Sequence, residues 1–261
     1  MPGRPATRAT AAAVPSAPST GAPIALVHGF TQTAVSWRRF VPSLRARIDD
    51  DRQIVAVDAP GHGRRHDVHV GLDDGARLLG DEVGRAVWIG YSMGGRLALH
   101  LALARPDLVD ALVLIGATAG IDDADERSAR RRSDEELAAS IERDGVEVFL
   151  DRWLAQPLFA GLTPDPADLA ARRENTSAGL AASLRLAGTG TQTPLWDRLP
   201  EIVAPVLVLA GERDTKFAAL GRRLADALPS GTLALVPGAG HAAHLEAPDA
   251  TAALVATWLP R

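Results

Sequence analysis

The chain has 261 residues, 46% hydrophobic and 23% charged, with a formal net charge of −4 and no cysteine. This length supports one large domain with a sizeable core, and the mild acidity gives no electrostatic footprint for a nucleic-acid partner. The lack of cysteine excludes disulfides, thiolate catalysis and thiolate-bound metals, and it fits a reducing cytoplasm, the expected location.

Residues 1–22, "MPGRPATRATAAAVPSAPSTGA", are rich in Ala, Pro, Ser and Thr, carry only Arg4 and Arg8 as charged side chains, and lack the apolar core of a signal peptide. A transit peptide has a similar composition. A disordered tail is the simpler expectation, because the stretch cannot bury enough surface to offset its ordering entropy. No later apolar run reaches the roughly 18–20 residues that span a bilayer, so membrane insertion is not expected.

From Pro23 onward, short apolar runs alternate with helical patterns. Ile24–Val27 reads as a first strand, followed by "HGF" and a helix over Trp37–Leu44. Ile54–Val57 leads through "DAPGHG" to a helix over Gly75–Val83. Val87–Ile89 leads through "GYSMGG" into a helix over Met93–Ala104, and Leu112–Ile115 follows. After a long interval come Val206–Ala210 with a helix over Phe217–Leu228, then Leu233–Val236 with a helix over Ala250–Trp258. Each apolar run is continuous rather than alternating, as in strands buried on both faces. The alternation predicts an α/β fold, a mostly parallel sheet flanked by helices.

Between Ile121 and Leu195 the pattern is helical and charge-rich, with no clear strand. Within it, "DDADERSARRRSDEEL" reads as a solvated face. An insertion of roughly 75 residues far exceeds an ordinary connection. Residues 121–195 therefore read as a helical cap after the fourth core strand, leaving 23–120 and 196–261 as the core. Such a cap would cover the carboxyl edge of the sheet, where open α/β sheets bind ligands. There is no GxGxxG, no P-loop and no ligand set beside His241 and His244, so no metal site is expected.

Gly90-Tyr91-Ser92-Met93-Gly94 matches G-x-S-x-G between a strand and a helix. The motif makes a turn so tight that the flanking glycines must lack side chains, and it lifts the serine Oγ above the sheet at a helix N-terminus. A serine nucleophile or base needs a proton acceptor, itself oriented by an acid. Asp214 sits just past the fifth strand in "GERDTKF", with Glu212 and Asp58 as rivals. His241 sits just past the last strand in "PGAGHAAH", with His244 as its rival. The order Ser, Asp, His, each after a strand, is that of the α/β-hydrolase fold. Met93 N–H and Phe30 N–H, the latter in the "LVHGF" loop, are the expected oxyanion donors. An elbow and triad alone also suit an ester or C–C bond hydrolase acting on a small acidic substrate.

Cations cluster around the expected mouth: Arg96, the run Arg130 to Arg132, Arg172, Arg173, Arg185 and Lys216. In an acidic chain they suggest a pocket for a substrate with several carboxylates, which guanidinium forks bind bidentately.

From Pro23 on, the chain resembles the 2-succinyl-6-hydroxy-2,4-cyclohexadiene-1-carboxylate synthase family of menaquinone biosynthesis. The resemblance rests on "GYSMGGR", "FLDRWLAQPLF", "GLAASLRLAGTGTQ" and "GERDTKF". It implies a carbon–oxygen lyase that eliminates pyruvate from 2-succinyl-5-enolpyruvyl-6-hydroxy-3-cyclohexene-1-carboxylate without cofactor or metal. It implies that Ser92, activated by His241 and Asp214, serves as a general base. It places Arg96, Arg130 and Arg173 on the substrate carboxylates, with Arg131 and Arg172 as alternative registers. Tyr91 and Trp153 would line the pocket beside Lys216.

Overall fold

The computed structural model describes residues 21–49, 51–163 and 165–259; the expected tail lies, up to residue 20, outside them. Six apolar runs form strands: β1 (Ile24–Val27), β2 (Ile54–Val57), β3 (Ala86–Tyr91), β4 (Val109–Ile115), β5 (Val206–Gly211) and β6 (Gly231–Val236). They pair in the order β2-β1-β3-β4-β5-β6, every pair parallel. Residues alternate in direction along a strand, so β1 feeds both faces of the sheet. Ala25 and Val27 join a core with α2 (Leu72–Val83), α3 (Met93–Ala104) and α8 (Thr215–Ala227). Ile24 and Leu26 join a second core with α1 (Phe40–Arg45) and α10 (Pro248–Trp258). Two covered faces explain the unbroken apolar runs of the central strands.

Two expectations are revised at the edges. β6 is not buried on both faces: of its six residues only Val236 is fully buried. As the terminal strand it has a neighbour on one side only, and β2, at the other edge, is likewise mostly half-buried. The helix expected over Trp37–Leu44 is split, with a 3-10 turn at Ala34–Trp37 capped by the Thr33 hydroxyl, and then α1.

Between β4 and β5 the chain forms α4 (Ala124–Asp144), α5 (Val146–Leu154), α6 (Pro166–Arg173) and α7 (Ser177–Ala187). Side-chain oxygens satisfy the free N–H groups that open three of these helices. Asp123 caps α4, Asp165 caps α6 and Thr176 caps α7. α4, α5 and α7 share a small core of Ala138, Ile141, Phe149, Leu180, Ala181 and Leu184, against which Phe30 and Trp153 pack. Short α9 (Ala243–Glu246) follows the loop after β6. Among the described residues, no helix is long and apolar enough to cross a membrane.

Candidate active site

β3 ends at Tyr91 and α3 begins at Met93, so Ser92 alone makes the turn, at φ 50° and ψ −107°. A left-handed backbone at a non-glycine residue is strained and needs support from its surroundings. Here the support is close packing. A Cβ on Gly90 would lie 2.4 Å from the Gly94 oxygen, and one on Gly94 would lie 2.1 Å from the Val27 oxygen. Both glycines are therefore sterically required, and Ser92 N–H is held by the Ile115 carbonyl at 2.8 Å.

His241 Nδ1 and Asp214 Oδ2 are 2.8 Å apart, both groups buried. The other Asp214 oxygen caps α8 by accepting Phe217 N–H at 3.1 Å, which fixes the carboxylate plane. Burial pushes the Asp214 carboxyl up, but hydrogen bonds from His241 and Phe217 N–H, with the His241 and Lys216 charges, outweigh it. The group is held below the usual carboxylate range, so it stays ionised beside the imidazole. Glu246 braces the His241 loop, its carboxylate accepting Gly240 N–H at 2.7 Å and Ala242 N–H at 3.0 Å. Ser92 Oγ and His241 line the same cavity, and no hydrogen bond joins them among the described contacts; such contacts commonly tighten on substrate binding.

The rival residues have other work. His244 is fully buried, lying tilted against Trp37 and Tyr91 at ring-centroid distances of 4.5 and 4.4 Å. Asp58 accepts Ala34 N–H at 2.7 Å and Arg64 N–H at 2.9 Å, tying two loops together. Glu212 accepts Gly238 N–H at 2.9 Å from an exposed position.

The cavity above Ser92 has a volume of about 180 Å³. Its walls include Phe30, Tyr91, Met93, Arg96, Arg130, Trp153 and Lys216, all expected from the sequence. Burial pushes the Tyr91 phenol well above its usual range, so it remains protonated. Phe30 N–H and Met93 N–H donate to no acceptor among the described residues, leaving two backbone donors beside Ser92.

Arg96 is 6% exposed and donates from Nη1 to the Ala187 carbonyl at 2.7 Å. No carboxylate lies within ion-pairing distance of it among the described residues. Burial, then the charge of Arg130, lowers its pKa to about 10, with Asp134 opposing; it is still a cation at neutral pH. Arg130 is aimed by Asp134, which accepts from Nε at 2.7 Å and from Gly190 N–H at 3.2 Å. Asp134 is 1% exposed, which corrects the reading of its charge run as wholly solvated.

Arg173 is not brought to the cavity. Its side chain is 44% exposed and faces Glu147 at 3.5 Å on the surface. The α6 face turned inward carries Asp168, Ala171 and Arg172, and Arg173 is rotated off that stripe. An exposed pair of this kind is worth about 0–1 kcal/mol. Arg173→Ala should therefore leave kcat/KM within about twofold of wild type in the pyruvate assay described below. Arg131 meets the Gly190 carbonyl at 3.2 Å rather than the cavity, and Arg185 pairs with Glu135 and Glu142 on the surface. Sequence reasoning missed Phe159, Ser183, Thr189 and Phe217 among the walls. All four lie within the motifs that carry the family resemblance: Phe217 in "GERDTKF", Phe159 in "FLDRWLAQPLF", and Ser183 and Thr189 in "GLAASLRLAGTGTQ".

Behind the oxyanion loop lie two buried histidines. His28 Nε2 accepts Ala59 N–H at 3.0 Å and His62 Nε2 accepts Thr31 N–H at 3.2 Å, so both rings are neutral. Burial pushes His28 down to about 4; burial and the neighbouring His28 push His62 down to about 3. Unfolded, both would titrate near 6.5. The unfolded chain thus binds more protons below that value, and the stabilisation present above pH 6.5 is lost as pH falls toward the folded pKa values. At pH 5 each ring should cost about 2 kcal/mol. Melting curves at pH 7, 6 and 5 should show Tm falling steeply; a flat Tm over this range would contradict the buried neutral assignment.

Residues 24–254 match the sequence pattern described as the alpha/beta hydrolase family. The chain is 36% identical over 251 residues to a Bacillus subtilis (strain 168) protein provisionally named 2-succinyl-6-hydroxy-2,4-cyclohexadiene-1-carboxylate synthase, covering 93% of this chain and 92% of that one. It is 32% identical over 241 residues to the protein of that name from Enterobacter sp. (strain 638), covering 89% and 90%. The solved structure of MenH from S. aureus superposes with a TM-score of 0.80 at 28% identity, covering 89% of this chain and 91% of that one. The chain belongs to the 2-succinyl-6-hydroxy-2,4-cyclohexadiene-1-carboxylate synthase family within the α/β-hydrolases.

Proposed function

We propose that this chain is the menaquinone-pathway lyase of its family and that the cavity above Ser92 carries out the elimination. The substrate, 2-succinyl-5-enolpyruvyl-6-hydroxy-3-cyclohexene-1-carboxylate, bears three carboxylates. The observation that carries the reading is Arg96, a 6% exposed cation with no carboxylate partner among the described residues, at the wall of the cavity that holds Ser92. A buried unpaired charge opposes folding and is expected where a ligand supplies the counter-ion. Lys216 lines the same cavity, as does Arg130, whose Nε is held by Asp134 and whose Nη groups make no described hydrogen bond.

The ring proton at C2 lies α to the succinyl ketone and is the acidic one. Ser92 Oγ, having passed its own proton to His241, removes it. The electron pair delocalises onto the ketone oxygen, where Phe30 N–H and Met93 N–H receive the charge. The pair then forms C2=C3, the C3=C4 pair moves to C4=C5, and the C5–oxygen bond breaks. Enolpyruvate leaves, and the proton held at His241 balances its conversion to pyruvate. No water is consumed. Asp214 stabilises the imidazolium while the proton is there. A small polycarboxylate partner and a cytoplasmic location belong to this proposal; the cysteine-free composition fits the latter.

Incubating the purified chain with this substrate, and coupling product to lactate dehydrogenase, should show stoichiometric pyruvate release far above the uncatalysed rate. Loss of substrate at the uncatalysed rate would refute the proposal.

A further inference from the structure

Thr31 follows Phe30, the residue whose N–H is the outer oxyanion donor, and it is the other non-glycine residue besides Ser92 with positive φ among the described residues, at 68°. A β-branched residue disfavours that region strongly, so the conformation persists only where its surroundings over-determine it. All three of its polar groups are held by buried side chains. Its N–H donates to His62 Nε2 at 3.2 Å, its Oγ1 accepts from Arg172 Nη1 at 2.8 Å, and its carbonyl accepts from Asn175 Nδ2 at 2.9 Å.

Two of the three come from the cap. Arg172 is 2% exposed and pairs with Asp168 at 2.7 Å within α6; Asp168 in turn accepts from Ser36 Oγ. Asn175 is buried just past α6, and its Oδ1 accepts Gly63 N–H at 2.8 Å. Neither Arg172 nor Asn175 lines the cavity. Arg172 has its countercharge in Asp168 and spends its remaining reach on Thr31, so its geometry is that of a brace and not of a carboxylate ligand.

We propose that Arg172, with Asp168, and Asn175 are positioning residues for the oxyanion hole. By holding Thr31 left-handed they fix the loop that aims Phe30 N–H at the developing enolate. The cap is then required to complete the catalytic electrostatics as well as to wall the cavity. This rests on the elimination chemistry proposed above. A donor displaced from its productive geometry loses transition-state stabilisation while ground-state binding changes little.

The test measures kcat and KM for pyruvate release with Arg172→Met, Asn175→Asp and the double variant Arg172→Met/Thr31→Gly, with Arg173→Ala as a neighbouring control. Asn175→Asp keeps the acceptor for Gly63 and removes the donor to Thr31, so it guards against gross misfolding of the arginine variant. Removing one oxyanion donor costs about 10²–10³ in kcat, and misplacing one should cost roughly 10–100-fold. The expected result is that loss in kcat for both single variants, with KM within a few-fold and the control unchanged. Glycine adopts positive φ without strain, so Thr31→Gly should restore part of the lost kcat in the Arg172→Met background. A rise in KM with kcat preserved would make Arg172 a substrate ligand and overturn the proposal; so would wild-type kinetics in both single variants, or no rescue by glycine. The rate of Ser92 acylation by p-nitrophenyl acetate, which uses the same two donors, should fall in parallel. Should wild type release no pyruvate, the pathway reading fails while the ester rates still decide the brace.

Discussion

Ser92→Ala should lower kcat for pyruvate release by roughly 10³–10⁴-fold or more, with KM within a few-fold of wild type. The side chain sits alone on a strained turn at the floor of the cavity, and its contribution is confined to moving one proton. His241→Ala should match it, because the imidazole generates the base and the base has no other nearby acceptor. The double variant should be scarcely worse than either single one, since groups that act as a unit lose their effect together. The measurement is the coupled pyruvate assay on all three proteins. Residual activity within tenfold of wild type in Ser92→Ala would place the base elsewhere.

Arg96→Met should cut kcat/KM by about 2–5 kcal/mol, roughly 30- to several-thousand-fold, because the variant leaves a substrate carboxylate unpaired in a buried position. The effect on stability should run the other way or vanish. Wild type keeps a guanidinium at 6% exposure with only the Ala187 carbonyl as a described partner. Replacing it with an apolar side chain of similar length removes that desolvation cost and gives up one hydrogen bond. Tm should therefore hold or rise while activity collapses, which parallel melting and kinetic measurements would detect. A large fall in Tm with a matching fall in activity would make Arg96 a structural residue instead.

The central strands were legible because burial on both faces leaves a continuous apolar run, and the elbow was legible because its glycines are demanded by local sterics. The exposure of β6 was not, since edge position is a property of the finished sheet and not of the strand. The pairing of His241 with Asp214, and the placing of His241 on the cavity that Ser92 lines, were legible from the positions of the three residues after β3, β5 and β6. Arg172 and Arg173 were not distinguishable in the sequence. Neighbouring helix residues point about 100° apart, and which one turns inward is decided by what the helix packs against. The spacing of Asp168, Ala171 and Arg172 held that information, but it becomes readable only once α6 is known to lie against the loop after β1. Asp134 was hidden for a similar reason: one buried carboxylate within an exposed charged helix looks like its neighbours until the turn at Gly188–Gly190 is seen to close over it.

The proposed elimination requires Ser92 to take a ring proton rather than attack a carbonyl carbon. The decisive measurement is the deuterium isotope effect on kcat/KM for pyruvate release, using substrate deuterated at ring C2. A normal primary effect, absent with deuterium at other ring carbons, is the predicted result. Unaltered kcat/KM, together with a Ser92-linked acyl adduct in the intact-protein mass spectrum, would contradict it.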